Sequence, residues 1–166
     1  MIRQATHNDL PYILNIIKNC TNHMMNNKIF QWNKNYPSKG IFKNDIKKKN
    51  LYIIEINEKI IGCVMKSIIE SEAYKNINWK TENKKNLYVH RLAVDPKYQG
   101  RGYGIKLMDF VEENALKNNC LSIRLDTFSK NKRNVKFYKK RGYIKIEDIY
   151  FLNQSIYPFY CFEKII

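Results

Sequence analysis

Apolar residues recur along this chain with two periods, and the switches between them mark out the elements. Leu10, Ile13, Leu14, Ile17 and Cys20 recur with helical spacing, which predicts a helix running to about Met25. Thr6-His7-Asn8-Asp9, a Thr-x-x-acid capping pattern, opens it. A second helix is expected from the N-cap Ser38, carrying Ile41, Phe42 and Ile46 inward. In a third, Leu107, Met108, Val111, Ala115 and Leu116 share one face and Lys106, Asp109, Glu112, Glu113 and Lys117 the other. A fourth spans Asn131 to Arg141 and stops at Gly142, where a left-handed C-cap is expected. Between these lie shorter runs rich in Ile, Val and Leu that read as strands: Ile2 to Ala5, Leu51 to Ile56, Ile60 to about Ile69, Leu87 to Val94, Leu121 to Asp126, Tyr143 to Tyr150 and Tyr157 to Glu163. Asn57-Glu58 turns the second strand into the third. Residues Glu70 to Asn86 are polar and turn-like, Trp79 excepted. The order is β, two helices, three strands, helix, strand, helix, two strands: an α+β chain, read as one domain over residues 1–166.

Between the Leu87 strand and the third helix stands Gln99-Gly100-Arg101-Gly102-Tyr103-Gly104. Glycines at alternate positions let backbone approach a ligand closely, and the helix start beyond them offers unpaired N–H groups and a positive dipole end. That is the geometry of a phosphate cradle, although the same residues also suit a plain glycine-rich turn. A Walker loop is excluded because no Gly-x4-Gly-Lys-Ser/Thr run occurs. The dinucleotide fingerprint lacks its third glycine, which would fall at Ile105, although Asp126 sits at a distance that fingerprint would accept.

The run Val94-x-Pro96-x-x-Gln99-Gly100-x-Gly102-x-Gly104 resembles the acetyl-CoA loop of the GNAT superfamily of N-acetyltransferases. Downstream, Asn131-x5-Phe137-Tyr138-x3-Gly142-Tyr143 resembles that superfamily's second motif, and the opening Ile-Arg-x-Ala-Thr-x-x-Asp-Leu-Pro resembles the start of many members. The resemblance covers the whole chain. It implies a mixed, mostly antiparallel sheet of six to seven strands flanked by about four helices. It also implies transfer of an acetyl group from acetyl-CoA to a primary amine by direct attack in a ternary complex. The alternative is a catalytically silent acyl-CoA-binding module acting as a sensor or interaction partner.

The resemblance assigns roles residue by residue. Backbone from Gln99 through Gly100, Arg101, Gly102, Tyr103 and Gly104 to Ile105 should hold the pyrophosphate, and Leu92, Ala93 and Val94 the pantetheine arm, with the Leu92 N–H facing the thioester oxygen. A preorganised donor of that kind contributes about 3 kcal/mol in acyl transfer. Tyr138 is the general acid towards the departing thiolate, while Phe137 packs. Asn131 contacts the donor and also caps its helix. His90 stands where many members carry a basic glutamate, and an imidazole pKa near 6.5 suits that task, although a lone strand histidine is often a packed or surface residue. Glu55 and Glu70 are weaker candidates. The aromatic loop after the first helix commonly walls the acceptor pocket in this superfamily, which singles out Trp32 and Tyr36.

Composition changes this picture little. The net charge is +15, yet the lysines are spread through every segment among many Asn and Ile. That points to a generally basic surface that helps collect an anionic cofactor, with no specific nucleic acid as partner; a nucleic-acid-binding protein would bind polyanions with steep salt dependence. Cys20, Cys63, Cys120 and Cys161 lack C-x-x-C pairing and read as reduced core thiols, and with only three histidines no metal is expected. No apolar run approaches a membrane span and no leader is recognisable, so a cytoplasmic protein without membrane partner is expected. The acceptor is a small-molecule amine or a peptide, and the scarcity of acids near the pocket beyond Glu70 and Glu72 favours one carrying its own carboxylate. The aromatics Tyr157, Phe159 and Tyr160, expected to be exposed, could serve a homodimer.

Overall fold

The computed structural model describes all 166 residues. Seven strands form one sheet: β1 (Ile2–Gln4), β2 (Leu51–Ile56), β3 (Lys59–Ser67), β4 (Asn86–Val94), β5 (Ser122–Phe128), β6 (Ile144–Ile149) and β7 (Phe159–Ile165), in the spatial order β1-β2-β3-β4-β5-β7-β6. Four helices flank it: α1 (Leu10–Asn26), α2 (Lys39–Lys47), α3 (Tyr103–Lys117) and α4 (Lys132–Lys140). Every neighbouring pair is antiparallel except β4 with β5. The predicted α+β order is therefore the observed one.

Two apolar layers cover the sheet. On one side α3 inserts Leu107, Met108, Val111 and Ala115, all fully buried, against Val64, Val89 and Leu125. On the other, α1 and α2 bring Ile13, Ile17, Phe42 and Ile46 onto Leu51, Ile53 and Cys63. Leu116, expected on the apolar stripe, is 60% exposed. It lies about 100° round the helix from Ala115, at the last turn, where the stripe no longer faces the sheet.

Three other expectations are corrected. β3 stops at Ser67, leaving Ile68 and Ile69 exposed. β7 starts at Phe159, because Tyr157 and Pro158 belong to the preceding turn. The aromatic surface expected to serve a dimer is not there: Phe159 is 2% exposed, packed on Phe128 and Phe151, and Tyr160 is half-buried under the Lys145 ammonium. β7 is an interior strand, so only Tyr157 of the three faces solvent.

The segment from Glu70 to Asn86 is more than a linker. It folds over the lower sheet and is fixed by Arg124, which is fully buried. Arg124 Nε donates to Glu163 (3.1 Å), Nη2 to the Thr81 carbonyl (2.7 Å) and Nη1 to the Tyr88 hydroxyl (3.1 Å), with the guanidinium 4.8 Å from the Trp79 ring. Burial would raise the Glu163 pKa, but donors from Thr81, Ser122, the Lys80 amide and Arg124 hold it below its ordinary value. No helix is long and apolar enough to cross a membrane.

Candidate active site

The site begins where two parallel strands part. β4 and β5 pair from Asn86 with Ser122 to Val89 with Leu125 and no further. Beyond that point β4 carries a bulge: Met65 pairs with His90 and Cys63 with Ala93, so Arg91 and Leu92 stand opposite Val64 alone. Arg91 takes up the extra length with a left-handed φ of 52°. The bulge turns its side chain and leaves Leu92–Val94 without a strand on the β5 side.

Two clefts open at this divergence. One, of about 400 Å³, runs between α1, the end of β4 and the start of α4, lined among others by Leu92, Ala93, Val94, Gln99, Gly104 and Arg133. The other, of about 1230 Å³, is lined by residues including Tyr36, Asp45, His90, Arg91, Asp126 and Tyr138. Gln31, Trp32, Leu92 and Asn134 border both, so the clefts meet there.

At the mouth of the smaller cleft lies the glycine loop. Gly100 (φ 78°) and Gly102 (φ 82°) are left-handed, a conformation that L side chains resist. Gly104 needs no such freedom, yet a Cβ built there would meet nothing within 4 Å. The Lys106 amide donates to the Gly102 carbonyl, and the amides of Gly102, Tyr103, Gly104 and Ile105 have no partner in the chain. Four free N–H groups at a helix start, beside empty space over three glycines, form an anion cradle. The Gln99 side chain braces this loop: Nε2 donates to the Val94 carbonyl (2.9 Å) and Oε1 accepts from Arg133 Nη1 (2.8 Å). Asn131 is likewise engaged, its Oδ1 accepting from the Asn134 amide (3.2 Å) and its Nδ2 donating to Gln31 (3.0 Å).

In the larger cleft three titratable side chains matter. Tyr138 is 5% exposed, its ring packed on Phe137, Tyr143 and Phe162, and no group in the chain pairs with its hydroxyl. Burial, then the Asp126 charge, push its pKa up, so the phenol keeps its proton. Asp126, near the end of β5, is pushed up to about 6 by burial, against the Tyr74 hydroxyl bond and the Arg91 charge that pull it down. Tyr74, itself 1% exposed, supplies the only hydrogen bond to that carboxylate within the chain.

His90 shares the cleft, stacked on Tyr74 at 5.6 Å, but burial and the adjacent Arg91 charge press its pKa to about 3. An imidazole lowered in this way collects a proton poorly at neutral pH, which weighs against the base role expected of it. Glu55 is paired with Arg3 at 2.5 Å, and Glu70 bonds Asn83 and Tyr88; neither lines a cleft. Trp32, 7% exposed, stands at the junction, and Tyr36 lines the larger cleft. All four cysteines are buried and free, with burial raising each thiol, Cys20 and Cys63 to about 12. None offers a thiolate.

Sequence reasoning weighed Asp126 only against the dinucleotide fingerprint and passed over Tyr74 and Arg91. The available signal was an acid and an arginine interrupting otherwise buried strand runs, SIRLDTF and NLYVHRLAV.

A parallel pair that splays beside a glycine anion loop and a cleft-lining phenol defines an acyl-transfer class of fold. The chain belongs to the acetyltransferase (GNAT) family, which residues 17–143 match. It is similar to thialysine N-epsilon-acetyltransferase of Bos taurus, 35% identical over 65 residues, 39% of this chain and 38% of that protein. It is also similar to the uncharacterized N-acetyltransferase YesJ of Bacillus subtilis, 24% identical over 119 residues, 72% of this chain and 63% of that protein. The matches thus span less than two thirds of these relatives' lengths. Among solved structures, a GNAT-family acetyltransferase of Streptococcus agalactiae superposes with a TM-score of 0.86 at 21% identity, covering 100% of this chain and 95% of that one. PaiA N-acetyltransferase of Thermoplasma acidophilum, solved with coenzyme A, gives 0.75 at 18%, covering 100% and 98%. Both share the fold.

Proposed function

We propose that this protein is an N-acetyltransferase that uses acetyl-CoA and a primary amine, with both substrates bound at once. The observation that carries this is the meeting of the two clefts at Gln31, Trp32, Leu92 and Asn134, with Asp126 and Tyr138 lining the larger. The names of the relatives support the reaction class, and that of the bovine relative specifies a nitrogen acceptor.

Each residue then has a task. The amides of Gly102 to Ile105 and the α3 dipole hold the pyrophosphate, for which the open space over Gly100, Gly102 and Gly104 leaves room. The free side of Leu92–Val94 takes the pantetheine arm, and the Leu92 amide faces the thioester oxygen. Acetyl-CoA supplies the activated acyl group. Asp126 takes the proton of the incoming ammonium, a role open to a carboxylate that is ionised above pH 6 and held by one hydrogen bond. Tyr138, protonated and with its hydroxyl uncommitted, gives its proton to the departing thiolate. His90 packs the acceptor wall. Direct attack suits a site whose cysteine thiols are all held protonated. A silent acyl-CoA binder would have no use for the Asp126–Tyr138 pair.

The test is a panel of primary amines offered with acetyl-CoA, followed by release of free CoA and the mass of the acetylated amine. At least one amine is expected to be acetylated catalytically. Tight acetyl-CoA binding with no acetylated product from any amine would establish the silent module instead.

A further inference from the structure

No step above uses Arg91, although the chain places it with some care. The β4 bulge holds it in a left-handed backbone conformation, and it lines the larger cleft together with Asp126. Asp45 of α2 fixes its orientation: Nε donates at 2.8 Å and Nη2 at 2.9 Å, with the two side chains 10% and 4% exposed. That bidentate pair uses one edge of the planar guanidinium. The next edge, formed by Nη1 and the second N–H of Nη2, carries two parallel donors, and the Tyr36 phenol is the one side chain of the protein that reaches the guanidinium besides Asp45. Burial raises the Tyr36 phenol, while the Arg91 charge and a side-chain hydrogen bond to Arg91 lower it, so this neutral group shares the guanidinium without neutralising it.

A guanidinium held on one edge by a carboxylate, with only a neutral phenol beside the other, is a preorganised receptor for a two-oxygen anion. Of the acids lining this cleft, Asp45 is committed to Arg91, which leaves Asp126 to face an ammonium. We infer that Arg91 anchors a carboxylate of the acceptor, so that the acceptor is an amino acid or a similar amine carrying a carboxylate besides the nitrogen that receives the acetyl group. The inference rests on the transferase reading and names its substrate class. A phosphate-bearing amine would fit the same edge, but a dianion would also face the Asp45 and Asp126 carboxylates. The carboxylate is therefore the better match.

The experiment compares kcat/KM for matched acceptors: lysine against cadaverine, ornithine against putrescine, phenylalanine against phenethylamine, with phosphoethanolamine as the phosphate arm. In at least one pair the carboxylate member is expected to be preferred by roughly 10- to 100-fold, the worth of a charge-assisted hydrogen-bonded contact, and chiefly through KM. In the double variant Arg91→Met with Asp45→Leu, which removes both charges and so leaves no orphaned buried ion, that preference collapses towards one. A wild type indifferent to the carboxylate, a preference for phosphoethanolamine, or a preference that survives in the double variant overturns the anchor while leaving the transferase intact. The wild-type comparison decides even if the double variant does not fold. If no member is acetylated, it is the transferase reading that fails.

Discussion

Asp126 and His90 line the same cleft, and burial acts on both, yet it suits one for base chemistry and unfits the other. Desolvation disfavours the charged form of either group, so it raises the carboxyl to about 6 and lowers the imidazole to about 3. A base that is ionised and still avid for a proton at pH 7 is the raised carboxylate. Asp126→Asn is therefore expected to lower kcat at pH 8 by roughly 10²- to 10⁴-fold and to abolish the acid limb near pH 6 in kcat/KM. Stability should move the other way. The folded value of about 6 lies above the ordinary 3.8, so the folded chain binds the proton more tightly. The stabilisation this gives is complete below pH 4 and is lost as pH rises through 6. Removing the charge is thus expected to stabilise the protein by about 3 kcal/mol at pH 8, read by urea unfolding. A loss of stability comparable to the loss of rate would mean that Asp126 is structural. Sequence alone could not rank the two residues, because the ranking depends on how the fold buries each of them, and that burial is built by segments distant in the chain.

At the scale of elements, the glycine loop and α3 were legible because their requirements are local. Period, left-handed glycines and a helix start all fall within residues 99–117, and the structure differs only in what each glycine is for. Gly104 has ordinary backbone and open space, so Gly104→Ala should leave the fold intact and strengthen the helix slightly. It should also weaken acetyl-CoA at least about tenfold, ~1.4 kcal/mol by calorimetry, by filling the cradle. Unchanged affinity would remove the pyrophosphate from this loop. The segment from Glu70 to Asn86 was illegible for the opposite reason. Its polar residues look solvated, yet Lys80, Thr81, Glu82 and Asn83 reach Arg124 and Glu163 on strands 41 to 83 positions away. Glu163→Gln leaves Arg124 buried without the carboxylate that bonds it directly, Glu70 standing 3.9 Å away, and a loss of about 3 kcal/mol is expected in denaturant unfolding. A loss below ~1 kcal/mol would show that neutral acceptors suffice.

For the whole molecule, the element order and two motifs at their spacing carried the fold, and the family match over residues 17–143 agrees with it. The acceptor side was not readable at that scale. Its walls come from the α1–α2 connection, α2, the β4 bulge, β5 and the turn before β7, none of which has a local pattern pointing to a pocket. The dimer surface expected from three aromatics failed for a related reason: an interior β7 was not visible from its own residues. What unites the molecule is the junction of the two clefts, and Tyr138 is the side chain whose proposed task exists only if transfer occurs there. The most direct measurement is turnover of acetyl-CoA with an accepted amine by wild type and Tyr138→Phe, alongside acetyl-CoA affinity for both. The account predicts unchanged affinity and a kcat lowered by roughly 10²- to 10⁴-fold. Equal turnover by the two proteins would contradict it.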